Sequence, residues 1–373
     1  MANGKRRHQP KAAASGQVNS EEPQGAKAPP AAEVAAFMHQ YGITRRLGRP
    51  RERVLTWLAR LSPAFARLAD PVALAEAIPR PELRSTLFYL EGILKLYRRG
   101  YERALEGPYR ITKSLEDAWG ALGAALELVE LARRRGAPAP ALDWCESQAN
   151  LARSELIGQL RTHWLPLPDG TIAIFRAICD TLVALDFEGY ARDRRSLIRT
   201  IRSWLQQVAN TPLDMYVLQG NHGLHELRRQ LRWLPIFAVS LDGLVVTSDK
   251  RNPVKEYRAL LTSEVAHSPY ARLPEPIRED KPIKISRSLF LAATALIAQL
   301  GELKDAAEEV EGLEHALIGG GVAKTSRAAR EQALELLGRT PEQQRDGHVR
   351  AERLYRELRR NRFFKLLRSD FKG

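Results

Sequence analysis

The pattern of apolar and polar positions is helical along almost the whole chain from Glu33 onward. Apolar residues recur at spacings of three and four, the period of a helix with one buried face. The predicted helices span residues 51–69, 83–105, 111–135, 141–161, 171–185, 190–208, 221–240, 289–317, 327–337 and 348–367. Such a series predicts an all-α protein, built as an antiparallel helical bundle or as two bundles packed around a basic groove.

Prolines and glycines predict where these helices bend or end. Pro63 is expected to bend or break the first helix, and Gly107 with Pro108 is expected to separate two of the later ones. Leu244, Val245 and Val246 have the composition of a short strand. Because one fragment makes no sheet, we expect no sheet.

The composition divides the chain into four parts. Residues 1–32 are mostly Ala, Pro, Gly, Gln, Ser and Lys with almost no large apolar side chain, which predicts a disordered basic tail. An N-terminal helical half is expected over residues 33–165 and a C-terminal helical half over residues 171–338. A basic C-terminal helix is expected over residues 346–373.

The charge balance points to a polyanionic partner. The 373 residues carry 58 Lys and Arg against 44 Asp and Glu, a formal net charge of +14. The two cysteines, Cys145 and Cys179, lie in separate apolar segments, which argues against a disulfide framework or a zinc finger and fits a reducing compartment. No apolar run approaches the ~20 residues that span a bilayer. We therefore expect a cytoplasmic protein without a membrane span.

The helix that begins at Asn221 presents two stripes side by side. Leu residues at 224, 227, 231 and 234 form the apolar stripe. The second stripe has spacings i, i+3, i+4 and i+7 and consists of His225, Arg228, Arg229 and Arg232. Arginine is suited to bidentate contact with phosphate or carboxylate. A solvated basic helix face is the alternative interpretation of the same pattern.

A second arginine-rich helix precedes this one. Its basic side carries Arg192, Arg195, Arg199 and Arg202. Short connections favour antiparallel neighbours, so we expect the two basic faces to adjoin. Only three acids lie nearby, namely Asp193, Asp214 and Glu226, too few to neutralise the set. Clustered like charges repel, which indicates a counter-anion.

The sequence gives little support for a catalytic site or a metal-binding site. The run from Gly319 to Thr325 is similar to a phosphate-binding loop, but Ala323 stands where a glycine belongs and a helix precedes it, so we interpret it as an interhelical glycine loop. The chain has no Glu-x-x-His pair for a bundle metal site and no Gly-x-Ser-x-Gly turn. His222 and His225 have metal-ligand spacing, but neighbouring arginines oppose a cation. We expect no cofactor, no metal and no enzymatic activity.

The segment from His225 to Arg232 resembles the signature of the CHAD domain, an α-helical family named for its histidines. The resemblance implies two helical bundles around a basic central pore and the binding of inorganic polyphosphate without established catalysis. It assigns His225, Arg228, Arg229 and Arg232 as candidate phosphate ligands. The family has a second helix of this kind in its other half; the equivalent here is residues 88–103, which lack histidine. That segment supplies secondary candidates, listed with the neighbouring histidine as Lys95, Arg98, Arg99 and His222.

Two other functions fit the same composition. One is an RNA- or DNA-binding helical protein whose basic tail and helices contact backbone phosphates. The other is a structural scaffold whose arginines pair internally with acids such as Glu308 and Glu309. The extent to which the arginines of residues 192–232 form internal ion pairs distinguishes the scaffold from the two binding functions.

Overall fold

The computed structural model describes residues 31–45, 47–67, 70–76, 81–211, 221–249, 257, 261–268, 271–275 and 281–371. Most of the predicted basic tail, residues 1–30, therefore lies outside the described residues. Ala31 and Ala32, its last two residues, already belong to the first helix.

The fold is all-α, as predicted, with one short two-stranded sheet. The helices are α1 (Ala31–Gln40), α2 (Arg49–Arg67), α3 (Pro71–Glu76), α4 (Pro81–Arg98), α5 (Glu102–Arg134), α6 (Ala139–His163), α7 (Ala173–Ala184), α8 (Tyr190–Asn210), α9 (Asn221–Ser240), α10 (Ser263–His267), α11 (Arg287–Gly319), α12 (Ser326–Leu337), α13 (Pro341–Arg360) and α14 (Phe363–Asp370). The strands are β1 (Val245–Ser248) and β2 (Ile283–Ser286). None of the helices in the described part of the chain combines the length and apolar character needed to cross a membrane.

Two apolar clusters hold these helices together. The larger one runs from Phe37 in α1 to Phe371 beyond α14 and includes side chains from each of the three predicted helical segments. The smaller one joins the C-terminal parts of α5 and α11 to α12 and the first half of α6, with Cys145 among its buried side chains. Both clusters therefore combine residues from before and after the predicted boundary near residue 170.

The expectation that no sheet forms is wrong. Strands β1 and β2 pair in parallel, with Val245 opposite Ile283 and Thr247 opposite Ile285. Val245, Ile283 and Ile285 are fully buried. The partner strand is only four residues long and carries Lys284, so its pattern resembles a basic lead into α11.

The break between α4 and α5 lies earlier than the sequence predicts. Helix α4 ends at Arg98 and α5 begins at Glu102, so Gly107 and Pro108 lie inside α5. Tyr101 explains the position of the break, because its ring packs on Phe187 at 4.6 Å. Its hydroxyl also accepts a hydrogen bond from the backbone N–H of Glu188 at 2.9 Å.

The predicted single C-terminal helix is in fact two helices. Arg362 adopts a left-handed conformation with φ of 54° between α13 and α14. This turn lets Phe363 and Phe364 enter the core, where the ring of Tyr257 meets Phe363 at 5.2 Å. As a result α14 folds back onto α8 and β2.

The glycine run after α11 is an interhelical loop, as predicted. Helix α11 ends at Gly319, and Thr325 caps α12 by accepting the backbone N–H of Ala328. A Cβ at Gly319 would clash with the indole of Trp144, and one at Gly320 would clash with the Pro140 carbonyl. Close packing against the start of α6 is a sufficient reason for these glycines.

Helix α4 crosses α9 at close range, and this crossing positions the basic residues of both helices. A Cβ at Gly92 would lie 2.6 Å from Ser240 Oγ and 2.8 Å from Ile236 Cγ2. Ser240 is further held by Trp57, whose indole N–H donates to the Ser240 carbonyl at 2.9 Å. The crossing therefore has no room for a side chain at position 92.

We predict that Gly92→Ala destabilises the fold by about 1–3 kcal/mol, the usual cost of overpacking a core. The matched control is Gly123→Ala in α5, where an added Cβ meets no atom within 4 Å. That change is expected to stabilise by up to about 1 kcal/mol, because alanine is the better helix former. Urea denaturation of both variants measures the difference, and equal effects would contradict the close crossing.

Candidate functional site

Two of the three predicted arginines of α9 lie against neighbouring helices, and the third pairs with an acid of α9 itself. Helix α9 packs between α4 and α11. Arg228 passes over Gly301 of α11, where an added Cβ would lie 3.1 Å from Arg228 Nε. That Nε is buried without a hydrogen-bond partner among the described residues. Arg229 Nε donates to Glu226 Oε2 at 2.8 Å, and the guanidinium of Arg232 stacks over the ring of Phe88 at 4.8 Å.

The two predicted histidines belong to the first turns of α9. His222 and His225 have helical backbone, as expected from the stripe pattern. Their side chains lie outside the described residues, so the phosphate contact predicted for His225 and the secondary role of His222 stay predictions.

Helix α4 packs against both α5 and α9, and charged side chains of the three helices come together there. We call this region the α4–α5–α9 seam. Lys95 Nζ lies 3.6 Å from the centre of the Trp233 ring. Lys95, one of the predicted secondary candidates, therefore contacts α9. The seam also contains acids that the sequence analysis did not single out. Glu91 is buried at 2% exposure, and Glu116 accepts from Arg84 Nη2 at 3.3 Å. Glu91 and Lys95 are four residues apart on one helix, and this spacing could have indicated the paired charges from the sequence.

Burial shifts the ionisation of this seam. It raises the pKa of Glu91 to about 7, assisted by the charge of Glu116 and opposed by Lys95. It lowers the pKa of Lys95 to about 8, where Glu91 opposes the shift and Arg229 adds to it. Burial also raises the pKa of Glu116, against the effect of Arg84. The seam therefore compensates its charges internally rather than offering a free basic surface.

The other two secondary candidates lie apart from the seam's centre. Arg98 Nη1 donates to Glu106 Oε2 at 3.0 Å, and its guanidinium stacks over Tyr109 at 4.3 Å. Arg99 is exposed and reaches Gln207 of α8, with Nη2 at 3.4 Å from Oε1. Arg98 is thus held in an ion pair, whereas Arg99 belongs to the surroundings of α8.

The arginines of α8 have different surroundings. All four predicted ligands on this helix are exposed, and within the described part of the chain none of them forms an ion pair with an acid: Arg192, Arg195, Arg199 and Arg202. They line one depression of about 470 Å³ together with Glu188 and Ile198. Arg195 Nε also donates to its own helix at the Ala191 carbonyl, 3.2 Å away. We call these four residues the α8 arginine face.

Two described acids that are close to this face in sequence form ion pairs with arginines outside it. Asp193 is buried and pairs with Arg53 of α2, with Oδ2 at 2.7 Å from Nη1. Glu226 pairs with Arg229 on α9. Asp214 lies outside the described residues. Because Asp193 is buried in the core, Glu188 is the acid that lines the depression.

The face continues toward the end of α8. A second depression, of about 400 Å³, is lined by Arg202, Arg368 and the polar side chains Ser203, Gln206, Gln207 and Asn210. Arg368 belongs to α14, which packs on α8. Sequence analysis missed Arg368 because it assigned residues 346–373 to one separate basic helix, which gave no reason to place them against α8.

The two arginine helices do not combine into one surface in the described structure. Helices α8 and α9 meet through apolar rings, with Trp204 and Phe237 centred 5.4 Å apart. Neither depression beside α8 is lined by an α9 arginine. The predicted basic residues therefore form two sets, the α8 arginine face and the α4–α5–α9 seam.

Comparison with known proteins gives no relative: no family model, curated protein or solved structure matches the chain. Within the described ranges, no group of three His, Cys, Asp or Glu side chains is placed to hold a metal ion. Cys145 and Cys179 are buried free thiols, and burial raises the pKa of Cys179 to about 12.

We predict that Glu91 makes stability depend on pH between about 4.5 and 7. A carboxyl whose pKa is raised in the folded state stabilises most below its ordinary pKa of 4.5, and this stabilisation is lost as pH rises through about 7. Glu91→Gln should therefore unfold with a flatter pH dependence, with the variant gaining on wild type toward pH 7.5. Urea denaturation at a series of pH values measures this.

The matched control is Glu335→Gln on the exposed side of α12. It should keep the wild-type pH profile. A profile for Glu91→Gln that parallels wild type from pH 4.5 to 7.5 would show that Glu91 does not carry this dependence.

Proposed function

We propose that the protein binds inorganic polyphosphate, without catalysis, through the α8 arginine face. The observation that carries this proposal is four exposed arginines on one helix face that have no ion pair to a described acid. Arg192, Arg195, Arg199 and Arg202 follow one another at spacings of three, four and three. They cover ~15 Å of one stripe, since a helix rises 1.5 Å per residue.

Polyphosphate matches the chemistry of this stripe. Each guanidinium offers a planar fork of N–H donors, which holds phosphate oxygens by charge-assisted hydrogen bonds. Successive phosphates supply the anions that relieve repulsion along the helix. Binding of this kind releases counterions, so affinity is expected to fall steeply as salt rises.

The α9 arginines have a supporting role in this proposal. Arg228 packs on Gly301, Arg229 pairs with Glu226, and Arg232 stacks on Phe88. Their positive charge adds to the field of the protein. The observed contacts favour the α8 arginine face over α9 as the place of direct phosphate contact.

Polyphosphate fits this face better than single-stranded RNA. Proteins that bind single strands combine arginines with aromatic side chains on which bases stack. The side chains that line the two depressions beside α8 are arginine, glutamate, isoleucine, serine, glutamine and asparagine. Trp204, the aromatic residue in the middle of this helix, points into the core at 7% exposure. Polyphosphate has no bases to stack, so its binding needs no aromatic side chain on this face.

A scaffold with internally paired arginines fits the seam but not α8. Arg84 and Arg98 pair with Glu116 and Glu106 as that alternative expects. The α8 arginine face has no such pairs with described acids, and Asp193 is taken up by Arg53. Internal pairing therefore describes one arginine set, and the exposed set keeps its capacity for a ligand.

We predict that Arg195→Ala/Arg199→Ala lowers affinity for long-chain polyphosphate by about tenfold or more at moderate salt and flattens its salt dependence, because two phosphate contacts are lost. The charge-matched control is Arg134→Ala/Arg135→Ala at the exposed end of α5. Binding of labelled polyphosphate in titrations at several salt concentrations measures both. Equal loss in the two double variants would mean that net charge, not the α8 arginine face, determines binding.

Competition with RNA tests the choice of ligand. Unlabelled polyphosphate should displace labelled polyphosphate from the wild-type protein at lower phosphate concentration than RNA does. The opposite order would replace polyphosphate by nucleic acid as the ligand.

We predict that Arg232→Ala acts mainly on stability. The change removes a cation–π contact with Phe88 and a positive charge near Glu116, which should cost about 1 kcal/mol. Polyphosphate affinity should change less than in the α8 double variant. If affinity falls as far while stability is unchanged, α9 carries the direct phosphate contacts instead.

A further inference from the structure

Resting on the proposed function, we infer that the ligand is a linear phosphate chain long enough to pass from α8 onto α13, so that the protein selects long chains over short ones. Three features carry this inference: the continuation of the α8 arginine face across α14, the junction of α13 with the end of α8, and an arginine stripe along one flank of α13.

The first feature is the continuation across α14. Arg202 is the last member of the α8 arginine face and the first cation of the second depression, where Arg368 faces the same space. Helix α14 is fixed there, because Phe364 and Leu367 are buried and Asp370 accepts the backbone N–H of Ser286 at 3.0 Å. The cationic surface thus extends past the arginines of α8 itself.

The second feature is the junction of α13 with the end of α8. Arg359 Nη2 donates to the Ala209 carbonyl at 3.3 Å, and the Tyr355 hydroxyl donates to the Thr211 carbonyl at 3.1 Å. Tyr355 and Leu358 are buried and define the inner side of α13. The flank of α13 that contains Arg359 is therefore the flank next to α8.

The third feature is the charge on that flank. Positions at spacings of seven, four and three lie on one stripe of a helix, and from Arg359 backwards this stripe contains Arg356, Glu352 and Arg345. Arg345 lies ~21 Å along the helix axis from Arg359, at 1.5 Å per residue. Arg356 forms an ion pair with Glu352. The opposite flank carries Arg350 and Arg353, which supplies a control within the same helix.

The side chains described in the first half of α13 contribute nothing to the core. All of its described side chains from Pro341 to Arg350 are exposed, including Val349 at 48% exposure. A helix is normally held by an apolar face, and among the described side chains of α13 the buried apolar ones lie in its second half. Arg345 in the first half is exposed and lies on the same stripe as Arg359 at the junction. A phosphate chain that leaves α8 at the junction would therefore meet Arg345 further along α13.

Chain length follows from this layout. A short phosphate such as tripolyphosphate contacts neighbouring arginines of one stripe only. A long chain engages both stripes, and the second contact is then intramolecular, which raises overall affinity by about 10²-fold or more.

The test compares tripolyphosphate with long-chain polyphosphate for wild type, Arg345→Gln/Arg356→Gln and the control Arg350→Gln/Arg353→Gln. For each protein, unlabelled tripolyphosphate or unlabelled long-chain polyphosphate competes with labelled long-chain polyphosphate. The concentrations of both competitors are expressed per molecule. Wild type should prefer the long chain by about 100-fold or more. The flank variant should lose about tenfold for the long chain and nothing for tripolyphosphate, and the control should lose less than about threefold. Circular dichroism confirms that both variants keep their helix content.

The outcomes separate this inference from the proposed function. Long-chain binding that depends on Arg195 and Arg199 but not on either α13 pair would overturn the two-helix path and leave the α8 site intact. Equal losses from the two α13 pairs would also overturn it, since net charge would then explain the effect. Absence of polyphosphate binding by wild type would overturn both proposals.

Discussion

The cost of removing charge from water governs how this structure treats its many basic side chains. Helix α4 is packed by α2, α5 and α9, so each ionisable group on its inner sides has to be compensated within the protein. Lys95 lies over the Trp233 ring and is attracted by the charge of Glu91, while Arg84 pairs with Glu116. Burial raises the pKa of Glu91 and lowers that of Lys95, and the attraction between the two groups opposes both shifts. Helix α8 has the four arginines of the α8 arginine face on its solvent side, where they stay hydrated and avoid this cost.

Local patterns were sufficient to predict most of the fold. The all-α class, the glycine loop after α11 and the approximate positions of the long helices follow from apolar periodicity and from helix-breaking residues. The exposed side of α8 also follows from periodicity, because the positions of Arg195 and Arg199 lie opposite those of Leu197 and Ile201. These features depend on residues close together in sequence, which is why sequence alone is informative about them.

The features that depend on distant partners were not predictable. Strand β1 pairs with a segment almost forty residues later, and the turn before α5 is set by contacts of Tyr101 with residues 187 and 188. The left-handed turn at Arg362 exists because the two phenylalanines after it enter a core built from other segments. The separation of the α8 and α9 arginines has the same origin. Their sequence patterns are alike, and the difference comes from what packs on each helix.

This difference bears on how basic amphipathic helices should be interpreted. Arg232 and Arg199 both follow leucine- and isoleucine-rich stripes at helical spacing, yet one lies on an aromatic ring and the other lines an open depression. An acid adjacent in sequence is an equally poor guide, since Asp193 turns inward to Arg53 and forms no ion pair with the α8 arginine face. Burying that acid places it against Arg53 in the interior and, by the same step, removes a negative charge from the outer side of α8. The positive charge that α8 presents to solvent, unpaired with any described acid, is thus a consequence of how its single buried carboxylate is used in the core.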